Sequence, residues 1–226
     1  MNKLIAKHFI TGYIVAETGL HIGGSKTALD IGGIDLNVIK DAAGRPFIPG
    51  SSLKGKLRSL LAREEGSVDV KNDSALIQTL FGSANDKTNE GMPSRLIVRD
   101  AHLDVEHFQA QEAFQNLELG YTEGKTENAI NRKTGTAEHP RQLERVPSGA
   151  RFRFEIVYNT FDDGKKDEHL TAVRKAMRLL EDDYLGGQGS RGYGKIRFVD
   201  VTLTVKEIAD YEGDNQRREV EAAFLG

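Results

Sequence analysis

Cysteine and tryptophan are both absent from the 226 residues. Without cysteine there are no disulfides, no thiolate metal ligands and no thiol nucleophile. Proline is scarce, at five, and no uninterrupted apolar run exceeds four residues. A membrane-spanning helix needs about 20. The first residues, Met1 to His8, lack the apolar stretch of a secretory signal. Those absences predict a protein of the cytoplasm with no membrane partner. Apolar residues are 38% of the chain, below the usual ~45–50%. Glycine is in excess, with 24 residues against an average near 7%. A modest core carrying long glycine-bearing loops is expected.

The net charge of −3 is unevenly spread. Residues 40–63 carry Lys40, Arg45, Lys54, Lys56, Arg58 and Arg63 against Asp41 alone, a local +5. Residues 186–197 add +3, and residues 207–221 carry −4. A polyanion responds to such local fields rather than to the total. Solvated charged faces are the plain alternative.

Periodicity predicts a strand over 3–16, a glycine-rich loop over 19–50 and a helix over 51–64. The helix has its apolar face at Leu53, Leu57, Leu60 and Leu61 and a cap at Ser51 or Ser52. A short helix at 74–81 and a strand at 95–99 follow. Residues 103–120 are ambiguous. Residues 121–147 are polar and show no pattern of a buried element, with a hairpin tip at 131–135. Strict alternation of Phe152, Phe154, Ile156 and Tyr158 with Arg151, Arg153 and Glu155 predicts a strand over 150–158. A helix over 167–183, a glycine loop over 186–194 and a last strand at about 195–205 complete the chain. The order is strand, helix, strand, strand, helix, strand. This is the α+β, ferredoxin-like plan, an antiparallel sheet with two main helices on one face. It is read as one domain over 1–226 with long insertions at 19–50 and 103–147.

Gly50 to Leu57 matches most of the G-x-x-x-x-G-K-[ST] phosphate loop, but Leu57 lacks the hydroxyl that holds Mg²⁺. Pro46 and Pro49 exclude the central strand that should precede such a loop. Lys54 and Arg58, four apart on the first turns of the helix, suit a nucleic-acid phosphate, as do the N–H groups around Ser51. In the C-terminal glycine loop, Gly187 and Gly189 allow close approach of a ligand to backbone. Arg191 and Tyr193 beside them offer contacts to phosphate and to base or ribose. Asp30 and Asp35 lie in the first loop, and Gly32 and Gly33 would present Asp35 to a substrate. An ordinary turn aspartate is the bland reading. His21 stands among glycines, with no second ligand at helical spacing.

Several runs taken together resemble the backbone RAMP subunit of type III-A CRISPR–Cas effector (Csm) complexes. They are Thr18 to Gly24, Gly33-Ile34-Asp35, Pro46 to Arg58, Leu80-Phe81-Gly82, Glu127 to Arg132, Pro140 to Val146 and Tyr184 to Gly194. The match spans about residues 10–200, and the type III-B backbone subunit is the nearest relative confusable with it. The resemblance implies an RRM-like body that polymerises with other copies of itself along a CRISPR guide RNA. It also implies a protruding thumb, here about 120–147, and endonucleolytic cutting of target RNA at regular intervals. Asp35 matches the catalytic, metal-associated aspartate, and Asp30 does not. Mg²⁺ or another divalent metal is the implied cofactor. Other Csm subunits, including the large polymerase/cyclase subunit, are the implied partners. His21, Ser51, Lys54, Arg58, Arg132, Arg141, Gly187, Gly189, Arg191 and Tyr193 match RNA-contacting segments. Two other classes fit the same basic helix and glycine loop. One is a non-catalytic RNA-binding scaffold, and the other is a guide-processing endoribonuclease of the same superfamily.

Overall fold

The computed structural model describes residues 2–24, 36–83, 91–213 and 215–226. Strand β1 (Leu4–Ala16) is central and runs antiparallel to both β7 (Arg151–Phe161) and β8 (Ile196–Glu207). Beyond β7 lie β3 (Leu96–Val98) and β4 (Ala101–Leu103), and β4 pairs in turn with β2 (Phe47–Ile48). Reduced to the six predicted elements, the sheet order is last, first, third, second strand, as the ferredoxin-like plan requires. An additional edge strand, β9 (Arg218–Glu221), pairs with β8. Its four residues include three charged ones, so no apolar alternation announces it.

Helix α1 (Gly50–Glu64) and helix α4 (Lys166–Glu181) cover one face of this sheet. The α1 leucines at 53, 57, 60 and 61 are all buried, as are Leu170, Val173, Met177 and Leu180 of α4. They meet Ile10 and Ile14 of β1 and the inward residues of β7, Phe152, Phe154, Ile156 and Tyr158. The alternation legible in β7 is therefore the pleat of a strand with one face in the core. Helix α2 (Ala75–Phe81) is capped by Ser74, whose hydroxyl accepts from Ile77 N–H. Residues 103–120 resolve into the end of β4, helix α3 (Val105–Ala110) and a 3₁₀ turn at Glu112–Phe114.

The start of α1 departs from expectation. Neither Ser51 nor Ser52 caps it; Pro49 is the N-cap residue and makes no side-chain cap bond. Gly50 packs so tightly on β3 that a Cβ there would meet Val98 O at 2.2 Å. Its N–H donates instead to Asp100 Oδ1 at 2.7 Å. A carboxylate from a distant part of the chain thus holds the positive end of the helix dipole.

Candidate nucleic-acid interface

Residues 121–147 form the expected projection. Strands β5 (Glu123–Ile130) and β6 (Ala137–Arg145) pair antiparallel in a two-stranded sheet separate from the main one. The tip turns where predicted. Asn131 Oδ1 accepts from Lys133 and Thr134 N–H, and Gly135 takes the left-handed φ of 72°. Arg132 and Arg141 are exposed on this arm.

The root of the arm is buried although the segment shows no pattern of a buried element. Thr122, Leu143, Glu144 and Val146 are all buried. The root is also where the first glycine-rich loop is fastened. Leu20 bridges Val146, Leu36 bridges Leu143 and Gly23 bridges Val38. Gly24 N–H donates to Asn37 O at 3.0 Å, which draws the two described ends of the loop together. Asp30 and Asp35 fall outside the described residues. Leu36, the residue following Asp35, is fixed by Glu144 N–H at 3.0 Å.

Glu144 gathers the polar groups of this root. Its Oε2 accepts from Val38 N–H at 2.8 Å. Its Oε1 accepts from the Thr122 hydroxyl and pairs with the Lys40 ammonium. Burial alone would raise this carboxyl, but Lys40, Thr122 and Val38 N–H outweigh it and hold the group below the ordinary glutamate range. The Glu144 carbonyl accepts from His21 Nδ1 at 2.7 Å. His21 Nδ1 therefore carries a hydrogen, and the residue is only 6% exposed. His21 serves as a tie between loop and arm rather than as an open RNA contact.

The C-terminal glycine loop packs against the same place. Gly187 N–H donates to His21 O at 2.8 Å, and Gly194 N–H to Gly19 O at 2.9 Å. Gly186 and Gly194 have φ of 80° and 77°. A Cβ on Gly189 would lie 2.1 Å from the Tyr184 ring. Close approach of chain to chain accounts for Gly186, Gly189 and Gly194. Gly187 is looser, its Cβ position meeting His21 only at ordinary contact distance.

Tyr193 is buried, at 1% exposure, so the expected contact to a base or ribose is not open. Its ring lies under Lys125 Nζ at 4.5 Å and the Arg145 guanidinium at 5.3 Å, both from the arm. Burial, and then the neighbouring Glu127 carboxylate, push its phenol up to about 12. Arg191 is exposed and reaches Glu127 across the gap, at 3.3 Å.

Lys54 and Arg58 are both partnered within the fold. Lys54 Nζ donates to Ser94 Oγ at 2.7 Å and to Leu96 O at 3.2 Å. Burial, and then nearby Arg58, lower its ammonium below the usual lysine value. Arg58 Nε donates to Asp73 Oδ2 at 2.7 Å, and the Asp73 side chain is 2% exposed. Both cations brace α1 against its neighbours, because their partners arrive from β3 and from the chain before α2. Asp73, Asp100, Thr122, Lys40 and Glu144 carry these roles without a local signal in the sequence. Val38 and Glu144 are 106 residues apart.

The RAMP superfamily model matches residues 13–197. A Csm3 protein of Methanocaldococcus jannaschii, described as a CRISPR system Cms endoribonuclease, is 44% identical, with 96% of this chain and 88% of that one covered. The Enterococcus italicus protein of the same description is 43% identical over 94% of this chain and 98% of its own length. A chain in a crystal structure of a Csm3–Csm4 subcomplex, from a type III-A CRISPR–Cas interference complex, superposes with a TM-score of 0.63. It is 36% identical, with 97% of this chain and 92% of that one covered. With the ferredoxin-like sheet, the projecting arm and this likeness along nearly its whole length, the chain belongs to the RAMP superfamily and, within it, to the Csm3 family.

Proposed function

We propose that this chain is an endoribonuclease that forms the backbone of a type III-A effector complex. It binds a CRISPR guide RNA, packs against further copies of itself and other Csm subunits including the polymerase/cyclase subunit, and cuts complementary target RNA beside its arm. Under this reading the whole chain acts as one RRM-like domain with two insertions, working in the cytoplasm. Among the described residues no helix is long and apolar enough to cross a membrane. The observation that carries the reading is the joint root. The loop bearing Asp35 and the arm bearing Arg132 and Arg141 are fastened to each other through Leu36, Val38 and Glu144. The segment that follows Asp35 is thereby anchored to the base of the arm.

Asp35 is the catalytic carboxylate in this proposal, and Arg132, Arg141 and Arg191 are the exposed phosphate contacts. Among the described residues no three carboxylate or imidazole groups gather as a metal cage. Asp35 would hold a divalent ion such as Mg²⁺ through its carboxylate, with water and phosphate oxygens as the remaining ligands such an ion accepts. When bound, a divalent ion supplies neutralisation of charge on the scissile phosphate. The arm's part is to hold the backbone so that a ribose 2′-hydroxyl stands in line with its own 3′-phosphate. Cutting then leaves a 2′,3′-cyclic phosphate and a 5′-hydroxyl.

The test is target-RNA cleavage by the assembled complex. Asp35→Ala and Asp35→Asn are expected to abolish cutting while guide and target binding stay at wild-type level. Asp30→Ala, the same residue type in the same loop, should cut normally, and EDTA should mimic the Asp35 changes. Normal cutting by Asp35→Ala would refute its role. An uncut target with the wild-type complex and Mg²⁺ would make the subunit a scaffold.

A further inference from the structure

We propose that Glu144 is the positioning residue for cleavage, locking the arm and the two ends of the first loop into one rigid unit. The inference rests on the reading that this loop carries the cutting carboxylate. Five ties leave four atoms of this one residue. Its N–H holds Leu36 O, its carbonyl holds His21, its Oε2 holds Val38 N–H, and its Oε1 takes both Thr122 and Lys40. His21 stands just before the loop's undescribed residues, while Leu36, Val38 and Lys40 follow them. Thr122 and Glu144 belong to the two sides of the arm's root, so all three pieces of chain converge on one residue, and its carboxylate joins the arm to the segment after the loop.

The chemistry of the site is more expensive than packing requires. Glu144 is 3% exposed, and a carboxylate in such a place costs several kcal/mol of solvation unless its partners repay it. An apolar residue would close the root more cheaply. The carboxylate does what an apolar side chain cannot, because it satisfies a backbone N–H of the loop and a side chain of the arm at once. Each bond is directional, so the loop cannot shift along the arm without breaking several together. A displacement of about 1 Å at a reacting group can cost on the order of 100-fold in rate. In this proposal Glu144 acts through Leu36 and Val38, which it holds.

Two variants separate this role from general stability. Glu144→Gln preserves the shape and keeps an oxygen to accept from Val38 N–H, while losing the ion pair with Lys40. Glu144→Ala removes every side-chain tie but leaves the two backbone bonds to Leu36 and His21. Both are assembled into the complex with guide RNA, and single-turnover cutting is measured at saturating target beside guide and target affinity. The expected order of rate is wild type, then Gln, then Ala, with Ala reduced by about 100-fold and both affinities unchanged. Lys40→Met, which leaves the Val38 and Thr122 bonds in place, should fall between wild type and Glu144→Ala. Wild-type rates for both Glu144 variants, in a complex where Asp35→Ala is inactive, would overturn the inference and leave the proposed function standing. Rate losses that only track lost target affinity would overturn it as well. If Asp35→Ala cuts normally, the proposed function fails first and this inference with it. If Glu144→Ala does not assemble, the Gln variant decides alone.

Discussion

Arg58 shows how a residue's chemistry is reassigned by what lies opposite it. At i+4 from Lys54 on a basic helix it reads as a phosphate contact. In the fold it faces Asp73, whose side chain is 2% exposed and also accepts from Ser67. Arg58→Ala would strand a buried carboxylate, which costs about 3 kcal/mol when a buried pair loses one partner. Denaturant unfolding of the isolated protein is the measurement, and the midpoint should fall by the corresponding amount. Asp73→Asn in the same chain should recover part of the loss, because the stranded charge is then gone. A wild-type midpoint combined with weakened RNA binding would return Arg58 to the phosphate role.

At the scale of elements, the arm and the body obey different rules. Strand β7 alternates because one face is in the core, so its period-two pattern is visible in the sequence. Strands β5 and β6 have no buried face over most of their length; six consecutive residues from Ala137 to Gln142 are exposed. With no core to face, no alternation is selected, which is why only the turn residues at 131–135 marked the hairpin. Deleting residues 128–137 should therefore leave circular dichroism of the body and its cooperative unfolding intact, since Thr122, Leu143, Glu144 and Val146 are untouched. Positioned cutting should suffer more than guide binding. An unfolded truncation product would show that the outer arm is structural.

For the whole molecule, a net charge of −3 is compatible with the proposed binding to a polyanion because the charge is unevenly distributed. The basic segment 40–63 is largely consumed internally. Lys40 pairs with Glu144, Lys56 with Asp183, and Arg58 with Asp73. The exposed arginines of the arm remain. Replacing Arg132 and Arg141 together by Ala should lower the salt slope of single-stranded RNA affinity by about 0.7 for each phosphate no longer neutralised. Lys54→Ala should leave that slope unchanged, because its ammonium is already bound by Ser94 and Leu96. Affinity titrations between 50 and 200 mM salt, as an approximate working range, distinguish the two. A slope that responds to Lys54→Ala but not to the arm variants would move the RNA path to α1.

Local patterning determined much of this protein: the order of the main elements, the inward faces of α1, α4 and β7, the hairpin tip, and the run of motifs that resembles the RAMP backbone subunit. Each of these depends on neighbours within a few residues, where helix and strand periods and turn chemistry act. Tertiary structure alone decided which polar groups meet. Asp100 at the start of α1 and Glu144 at the root of the arm are placed by pairing between distant segments, and Asp73 reaches Arg58 from the connection between α1 and α2. Tyr193 and His21 changed from exposed contacts to buried ties for the same reason. Burial and partnership depend on the chain that arrives from elsewhere, and a polar residue's role stays open until that partner is in place.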